Sequence, residues 1–329
     1  MPDSSDEDGS ARARYQTKLR ERVALWRVDG LGPESEWRPV LESGLADDDP
    51  YVRRDAIDVC GRLGTEFAVA RVFDAIRDPS EVVAVRAAVV FQIIELSPAN
   101  PAAAAVIASH RDSPAAQAVL NRLIKRWRTF GSMNGDPMSD PDDSQEIQRG
   151  HELRAALRKC NPTSAEDGWV PLAEHALVHP SSYVRREGVD VCGRSGAAWA
   201  GNCVVSALAD HERAAALHAA AICAKLKSQP ANMVAALIVA SFRDDFSMRG
   251  FSARALARYS DERAVARVSE LITTDPHRCV RRDAAEAVGR AGNSAALPAL
   301  RIALADRNQG VREHAQRAID QLAQRPATA

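Results

Sequence analysis

YVRRDAIDVCGRLG at 51–64 returns as YVRREGVDVCGRSG at 183–196 and again as CVRRDAAEAVGRAG at 279–292. A weaker copy, MRGFSARALARYS at 248–260, is followed by DERAVARVSELI, which matches TEFAVARVFDAI at 65–76. Agreement this extensive marks an internally repeated chain, and the spacing of the copies decides the architecture. With Val52 as marker, equivalent positions fall at Ala84 and Ala116. They resume at Val184, Ala216, Met248 and Val280, and close at Val311. Within each run the step is 32 residues up to Val280, and Val311 follows 31 residues later. A longer offset of 132 relates Trp37 and Pro39 to Trp169 and Pro171, and 51–64 to 183–196, as in a duplicated block of units.

Inside a unit, VRRDAIDVCGRL places Val52, Ala56, Val59, Cys60 and Leu63 on one helical face. This is the second helix of a pair. The first precedes it, as in WRPVLESGLADD at 37–48, and a turn carrying Asp or His before Pro separates the two (Asp49-Pro50, Asp78-Pro79, His179-Pro180, Asp275-Pro276). Pro just inside a helix start behind a capping Asp is a favourable N-terminus. Gly64, Gly196 and Gly292 stand where the second helix stops and are expected in the left-handed conformation. Gly61, Gly193 and Gly289, inside the helix, are expected to let a neighbouring helix approach closely. The sequence therefore predicts an all-α fold, an α-solenoid of helix pairs with a period of 32 residues.

The pattern of a turn Asp, Val-Arg, and an Ala-rich helix ending Gly-Arg-x-Gly resembles the HEAT repeat. Its short period resembles the repeats of the phycobilisome-lyase type. The resemblance covers roughly 37–128 and 167–323, and it implies a fold rather than an activity, because such solenoids host scaffolds, adaptors and some enzymes. It also implies a role for the first Arg of each pair. Arg53, Arg185, Arg249, Arg281 and Arg312 are expected to bond to turn aspartates as a structural ladder.

Composition narrows the function. Apolar residues make up 46% and aromatics 5%, so Ala, Val and Leu supply the core. With 43 basic and 44 acidic side chains the net charge is −1, which disfavours nucleic acid as partner and gives no pull toward an anionic membrane. The six cysteines form no Cys-x-x-Cys pair, as expected of reduced thiols in a cytoplasmic protein. MPDSSDEDGS at the start lacks the basic and apolar segments of a signal peptide, and no apolar run reaches membrane-spanning length. The Ala- and Arg-rich composition suggests a bacterial source. The chain is read as an acidic tail at 1–10, a first block at 11–128, an acidic Gly/Pro/Asp linker or loop at 129–146, a second block at 147–324, and a tail at 325–329. If 129–146 is a linker, cleavage there should release two stable halves.

The second Arg of each pair carries the functional expectation. Arg54, Asp58 and Arg62 recur as Arg186, Asp190, Arg194 and as Arg282, Glu286, Arg290, a stripe at i, i+4, i+8. The structural reading is a solvated row paired with itself. The functional one is a row of guanidinium forks on the concave face, suited to carboxylates or phosphates of a partner. Arg86, His218 and His314 join Arg54, Arg186 and Arg282 as candidates lining that groove. NRLIKRWR at 121–128 adds Arg122 and Arg126 around Trp127, either a phosphate-tracking helix with a stacking ring or the apolar face of a helix with a basic C-terminus.

Other chemistries find less support. The pattern also resembles the deoxyhypusine hydroxylases, which hold iron with His-Glu pairs, but those positions read Arg54-Asp55, Arg186-Glu187 and Arg282-Asp283. His175 and His179 could share a helix face but have no evident third ligand, and no metal or other cofactor is expected. No nucleophile motif or phosphate loop occurs, and no catalytic residue is assigned. The expected function is a non-enzymatic scaffold binding a protein or peptide. The alternatives are a lyase-like enzyme or accessory acting on a chromophore or modified nucleobase, and a nucleic-acid-binding solenoid.

Overall fold

The computed structural model describes residues 33–96, 114–128, 144–163, 166–179, 181–210, 212–226 and 230–325, with isolated positions between 17 and 28 and between 104 and 108. The expected tail at 1–10 and most of the expected linker at 129–146 lie outside the described residues.

Among the described residues every element is helical. The first block comprises α1 (Glu34–Leu45), α2 (Pro50–Leu63), α3 (Glu66–Asp74), α4 (Glu81–Leu96) and α5 (Pro114–Arg128). The second opens with α6 (Ser144–Lys159) and continues through α7 (Glu166–Leu177), α8 (Ser182–Ser195), α9 (Ala198–Ala207), α10 (Arg213–Cys223), α11 (Met233–Ala240) and α12 (Phe246–Leu256). It closes with α13 (Glu262–Thr274), α14 (Arg278–Ala291), α15 (Leu297–Ala303) and α16 (Gln309–Ala323). The fold is an all-α solenoid of helix pairs. Second helices stack in sequence, α2 on α4 on α5 in one block and α8 on α10 on α12 on α14 on α16 in the other. All eight marker positions, from Val52 to Val311, are buried.

Small residues set the spacing of that stack. A Cβ built on Gly61 would lie 2.5 Å from Val90 Cγ1, and on Gly193 2.4 Å from Ile222 Cγ2. On Gly289 it would lie 2.7 Å from the backbone of Ala318. Each therefore admits the next second helix at a distance alanine would forbid. Gly64, Gly196 and Gly292 end their helices at φ of 57°, 75° and 77°, the left-handed caps the sequence predicts.

The turns differ from expectation in one respect. Asp49 caps α2 through Tyr51 N with Pro50 at the first helical position. Asp78 and Asp275 instead stand further out, accepting from Ser80 N and His277 N, so Pro79 and Pro276 belong to the turn rather than the helix. His179 fills the same place, its Nδ1 accepting from Ser181 N. An acceptor two residues before the bonded amide is what the turn needs, and either side chain supplies it.

These turn acids receive arginines from the preceding unit. Arg53 grips Asp78 through Nε and Nη2 at 2.9 Å each, Arg185 grips Asp210 at 2.8 and 2.9 Å, and Arg281 grips Asp306 at 2.7 and 3.0 Å. Arg249 does the same with Asp275 at 2.7 and 3.2 Å. The remaining Nη1 of each donates to carbonyls of its own turn: Asp47 and Asp48, His179, Arg243 and Asp244, or Asp275 and Pro276. Arg312, in the last unit described, keeps the bond to Asp306 O at 2.8 Å. One guanidinium thus joins two consecutive turns. At the other end of the second helices, cations and an amide from the next unit cover the free carbonyls, with Arg258 on Ala224 O and Leu226 O, Asn293 on Ala257 O and Tyr259 O, and Arg325 on Arg290 O.

Two predictions follow from this geometry. The Arg281 guanidinium holds the Asp306 carboxyl below the usual carboxylate range. With the folded pKa depressed, the pair's stabilisation is complete above the unfolded value of about 4 and is lost as pH falls through the folded value. Asp306→Asn should therefore lower stability at neutral pH, by ~1–3 kcal/mol for a part-buried charge-assisted pair, and should flatten the acid limb of a plot of Tm against pH. Gly289→Ala should cost ~1–3 kcal/mol through overpacking, whereas Gly168→Ala, with nothing within 4 Å of the new Cβ, should gain up to ~1 kcal/mol of helix propensity. Urea denaturation of the two variants checks the contrast.

Candidate partner-binding surface

The two blocks do not simply follow one another. Helices α4 and α11 pack together, and they are the two helices whose sequences, EVVAVRAAVVFQIIEL and MVAALIVA, carry apolar residues on every side. A helix apolar all round is stable only when covered all round. The second-helix face of the first block therefore lies against the second block, with Ala209 and Val239 joining the first block's core. Arg22 donates to Val178 O at 2.9 Å, Arg86 to Ser206 O at 2.9 Å, and Asp244 N to Arg128 O at 3.1 Å.

The ladder is interrupted at this seam. Leu217 and Val85, at equivalent places in the two blocks, stand where other units carry the ladder Arg, and the next turn after Leu217 offers Arg243 in place of an acid. Arg243 instead lies buried over the Trp127 ring, 4.4 Å from its centroid. Burial weighs against its charge, pulling its pKa down to about 9. The ring and the nearby acids Asp210 and Asp245 favour the cation.

Sequence-predicted site residues fall into three groups. Arg54 and Arg86 belong to the seam and not to an open groove. Arg54 holds Asp55 at 3.1 and 2.9 Å, and Arg86 is buried on Asp58. The two acids end on opposite sides of the ordinary carboxylate value. Burial pushes both up, but Arg22 and Arg54 together bring Asp55 below it, while Asp58, with Arg86 and with Asp55 nearby, stays above. A cavity of about 50 Å³ remains beside Arg54, Asp58, Arg86 and Trp127. That is room for a few water molecules and far below the ~300–1,000 Å³ of small-molecule sites.

Arg122 and Arg126 form the second group, exposed on α5, with Arg126 paired to Glu81 at 2.9 Å. The nearby Trp127 is 4% exposed under Arg243, so it does not present a stacking surface for bases.

The third group shares the uncovered second-helix face of the second block. Arg186 on α8 is exposed and makes no ion pair among the described residues. Its neighbour Glu187 is taken by Arg158 at 2.5 Å and Arg154 at 3.6 Å, both reaching over from α6. Arg282 holds Asp283 at 3.1 and 2.9 Å, the geometry of Arg54 on Asp55, but here in the open. Arg254 reaches the same carboxylate from α12 at 2.8 Å. Asp190 accepts Arg194 at 2.9 Å and has His218 Nε2 at 3.5 Å, and His218 and Arg194 hold its carboxyl below the usual range. Glu286 pairs with Arg290 at 2.6 Å. His314 on α16 is half-buried, its Nδ1 2.7 Å from Gly310 O. The charges are layered. The Glu187 and Asp283 side chains are only 14% and 15% exposed, whereas Arg158, Arg254, Arg282 and Arg290 are 59%, 43%, 42% and 74% exposed. Carboxylates form the floor and guanidiniums the surface.

Cysteine and histidine chemistry is bland by comparison. Burial pushes the Cys60 thiol up to about 12 and raises that of Cys223, while a hydrogen bond with Cys203, with burial behind it, raises that of Cys192, all away from reactivity. His175 is exposed, while His179 is buried and engaged in its turn.

Residues 234–320, from α11 into α16, match the family model of HEAT repeats. Over that segment the chain carries HEAT repeats. The match does not reach the narrower lyase-type resemblance. No curated protein matches the chain. Solved structures similar to it include human deoxyhypusine hydroxylase in complex with glycerol, 16% identical over 94% of this chain and 99% of that one, with a TM-score of 0.26. Another is an engineered protein, 17% identical over 93% and 95% of the two chains, with a TM-score of 0.36. Likeness at that level bears on nothing in this HEAT-repeat chain's chemistry. No helix among the described residues is long and apolar enough to cross a membrane.

The seam makes the two blocks interdependent. Coexpressed as separate chains, residues 1–128 and 144–329 should co-purify as one complex, and 1–128 alone should aggregate through the bared α4 face. Two monodisperse, non-associating species in size-exclusion chromatography would show the seam to be weak.

Proposed function

We propose that the protein is a non-enzymatic scaffold that binds a protein or peptide on the second-helix face of its second block. The observation that carries this reading is the layered charge of that face, with guanidiniums outermost and held in place by carboxylates beneath them. An Arg fixed by one ion pair still presents unused N–H donors in a planar fork, so little rotamer freedom is lost when a partner arrives. The first block's corresponding stripe is spent on holding the molecule together, which leaves one recognition face per chain.

The test separates the two arginine populations. A tagged chain is used for affinity capture from its native lysate, alongside Arg186→Gln/Arg282→Gln and, separately, Arg54→Gln. The double variant should melt like the parent and lose the proteins the parent recovers. Arg54→Gln should melt earlier, by several degrees for a loss of ~1–3 kcal/mol, yet recover the same proteins below its melting temperature. Recovery unchanged in the double variant would overturn the assignment of the face.

A further inference from the structure

We infer that the occupant of this face is an extended peptide segment rich in carboxylates; the inference rests on the scaffold reading above and specifies its partner. It draws on the way the charges are shared. Arg154 and Arg158 divide the single carboxylate of Glu187, and Arg254 and Arg282 divide that of Asp283. Each shared carboxylate leaves one positive charge uncompensated, and Arg186, exposed on α8, pairs with no carboxylate among the described residues. Positive charge thus accumulates at the α6–α8 edge and again at α12–α14, in a chain whose net charge is −1.

The spacing suits a peptide. Neighbouring second helices stack about 8–10 Å apart, so Arg186 on α8 and Arg282 on α14, three steps along the stack, are separated by roughly 25–30 Å. An extended chain covers that distance in about eight or nine residues at ~3.3 Å each. The face is not uniformly basic. α10, between the two positive centres, carries Arg213 as its one Arg or Lys, and that side chain is held by Asp245, while one helical turn from the arginines, on α8 and α14 themselves, Asp190 and Glu286 remain 34% and 31% exposed. A nucleic-acid backbone, with a phosphate at every step, would cross α10 without neutralisation and pass beside these acids, and its affinity depends on unbroken neutralisation. A peptide can place its carboxylates opposite the arginines and neutral residues opposite the acids. Carboxylate also matches the guanidinium fork in a bidentate manner.

Fluorescein-labelled deca-glutamate, deca-glutamine and an oligothymidylate of equal length are titrated with the full chain at low ionic strength, with anisotropy as readout. Deca-glutamate should bind, deca-glutamine should not, and the oligothymidylate should bind more weakly than deca-glutamate. Arg186→Gln/Arg254→Gln/Arg282→Gln should weaken deca-glutamate binding at least about tenfold. Arg122→Gln/Lys125→Gln/Arg126→Gln, which removes exposed cations from α5, should leave it unchanged. Because a loss can come from misfolding, the decisive variant is Asp190→Asn/Glu286→Gln, which frees Arg194 and Arg290 and should tighten binding severalfold. The inference is overturned by failure of deca-glutamate to bind, by equal or tighter binding of the oligothymidylate, by equal loss in the α5 variant, or by no gain in the acid-to-amide variant. If deca-glutamate fails while Arg186→Gln/Arg282→Gln still abolishes capture, the scaffold reading stands and only the acidic partner falls.

Discussion

A guanidinium that must satisfy two turns at once is the constraint on which this molecule is built. Arg281 reaches back to the carbonyl of Asp275 and forward to the carboxylate of Asp306, and Arg53, Arg185 and Arg249 do likewise in their own units. Only one register of stacking brings carbonyl and carboxylate within reach of the same side chain. The alternating Ala, Val and Gly face then closes around that register. In a linear repeat array each unit is stabilised mainly by its neighbours, so a bond that spans the joint fixes both spacing and rotation.

The seam shows what becomes of the ladder when its parts are withdrawn. Leu217 donates nothing, and Arg243, in the place of an acid, can accept nothing. The Arg243 cation is covered by Trp127 from the other block. Two homologous stripes have diverged in environment without diverging much in sequence. Arg54 on Asp55 and Arg282 on Asp283 share bond lengths of 3.1 and 2.9 Å, yet one pair lies at an internal joint and the other faces out. Local geometry is inherited with the repeat, and burial is decided by what lies across from it.

That distinction explains what was legible beforehand. The helix pairs, the buried markers from Val52 to Val311, the left-handed caps at Gly64, Gly196 and Gly292, and the close approaches at Gly61, Gly193 and Gly289 all depend on contacts within or between adjacent units, which periodicity encodes. The burial of Arg86 and Arg54 depends on a contact between segments more than a hundred residues apart, which periodicity does not encode. A signal did exist in EVVAVRAAVVFQIIEL and MVAALIVA, two helices without a polar face, each needing cover that its own block does not provide. His179 was legible as a turn residue, but its bond was not: its imidazole takes over an aspartate's acceptor role, and residue type alone does not announce such a substitution.

Helical-repeat solenoids ordinarily behave as springs, bending and twisting a little at every joint because each unit touches only the next. Here the contact of α4 with α11, of Arg128 with Asp244 and of Arg263 with the Leu96 carbonyl brings the first block alongside the coil from Val178 to Arg263 and clamps it there. Among the described residues, the helices from α14 to α16 extend beyond that clamp and touch only their neighbours in the array. Elastic response to a load is therefore expected to concentrate at the C-terminal end of the solenoid, a short arm on a stiffer base.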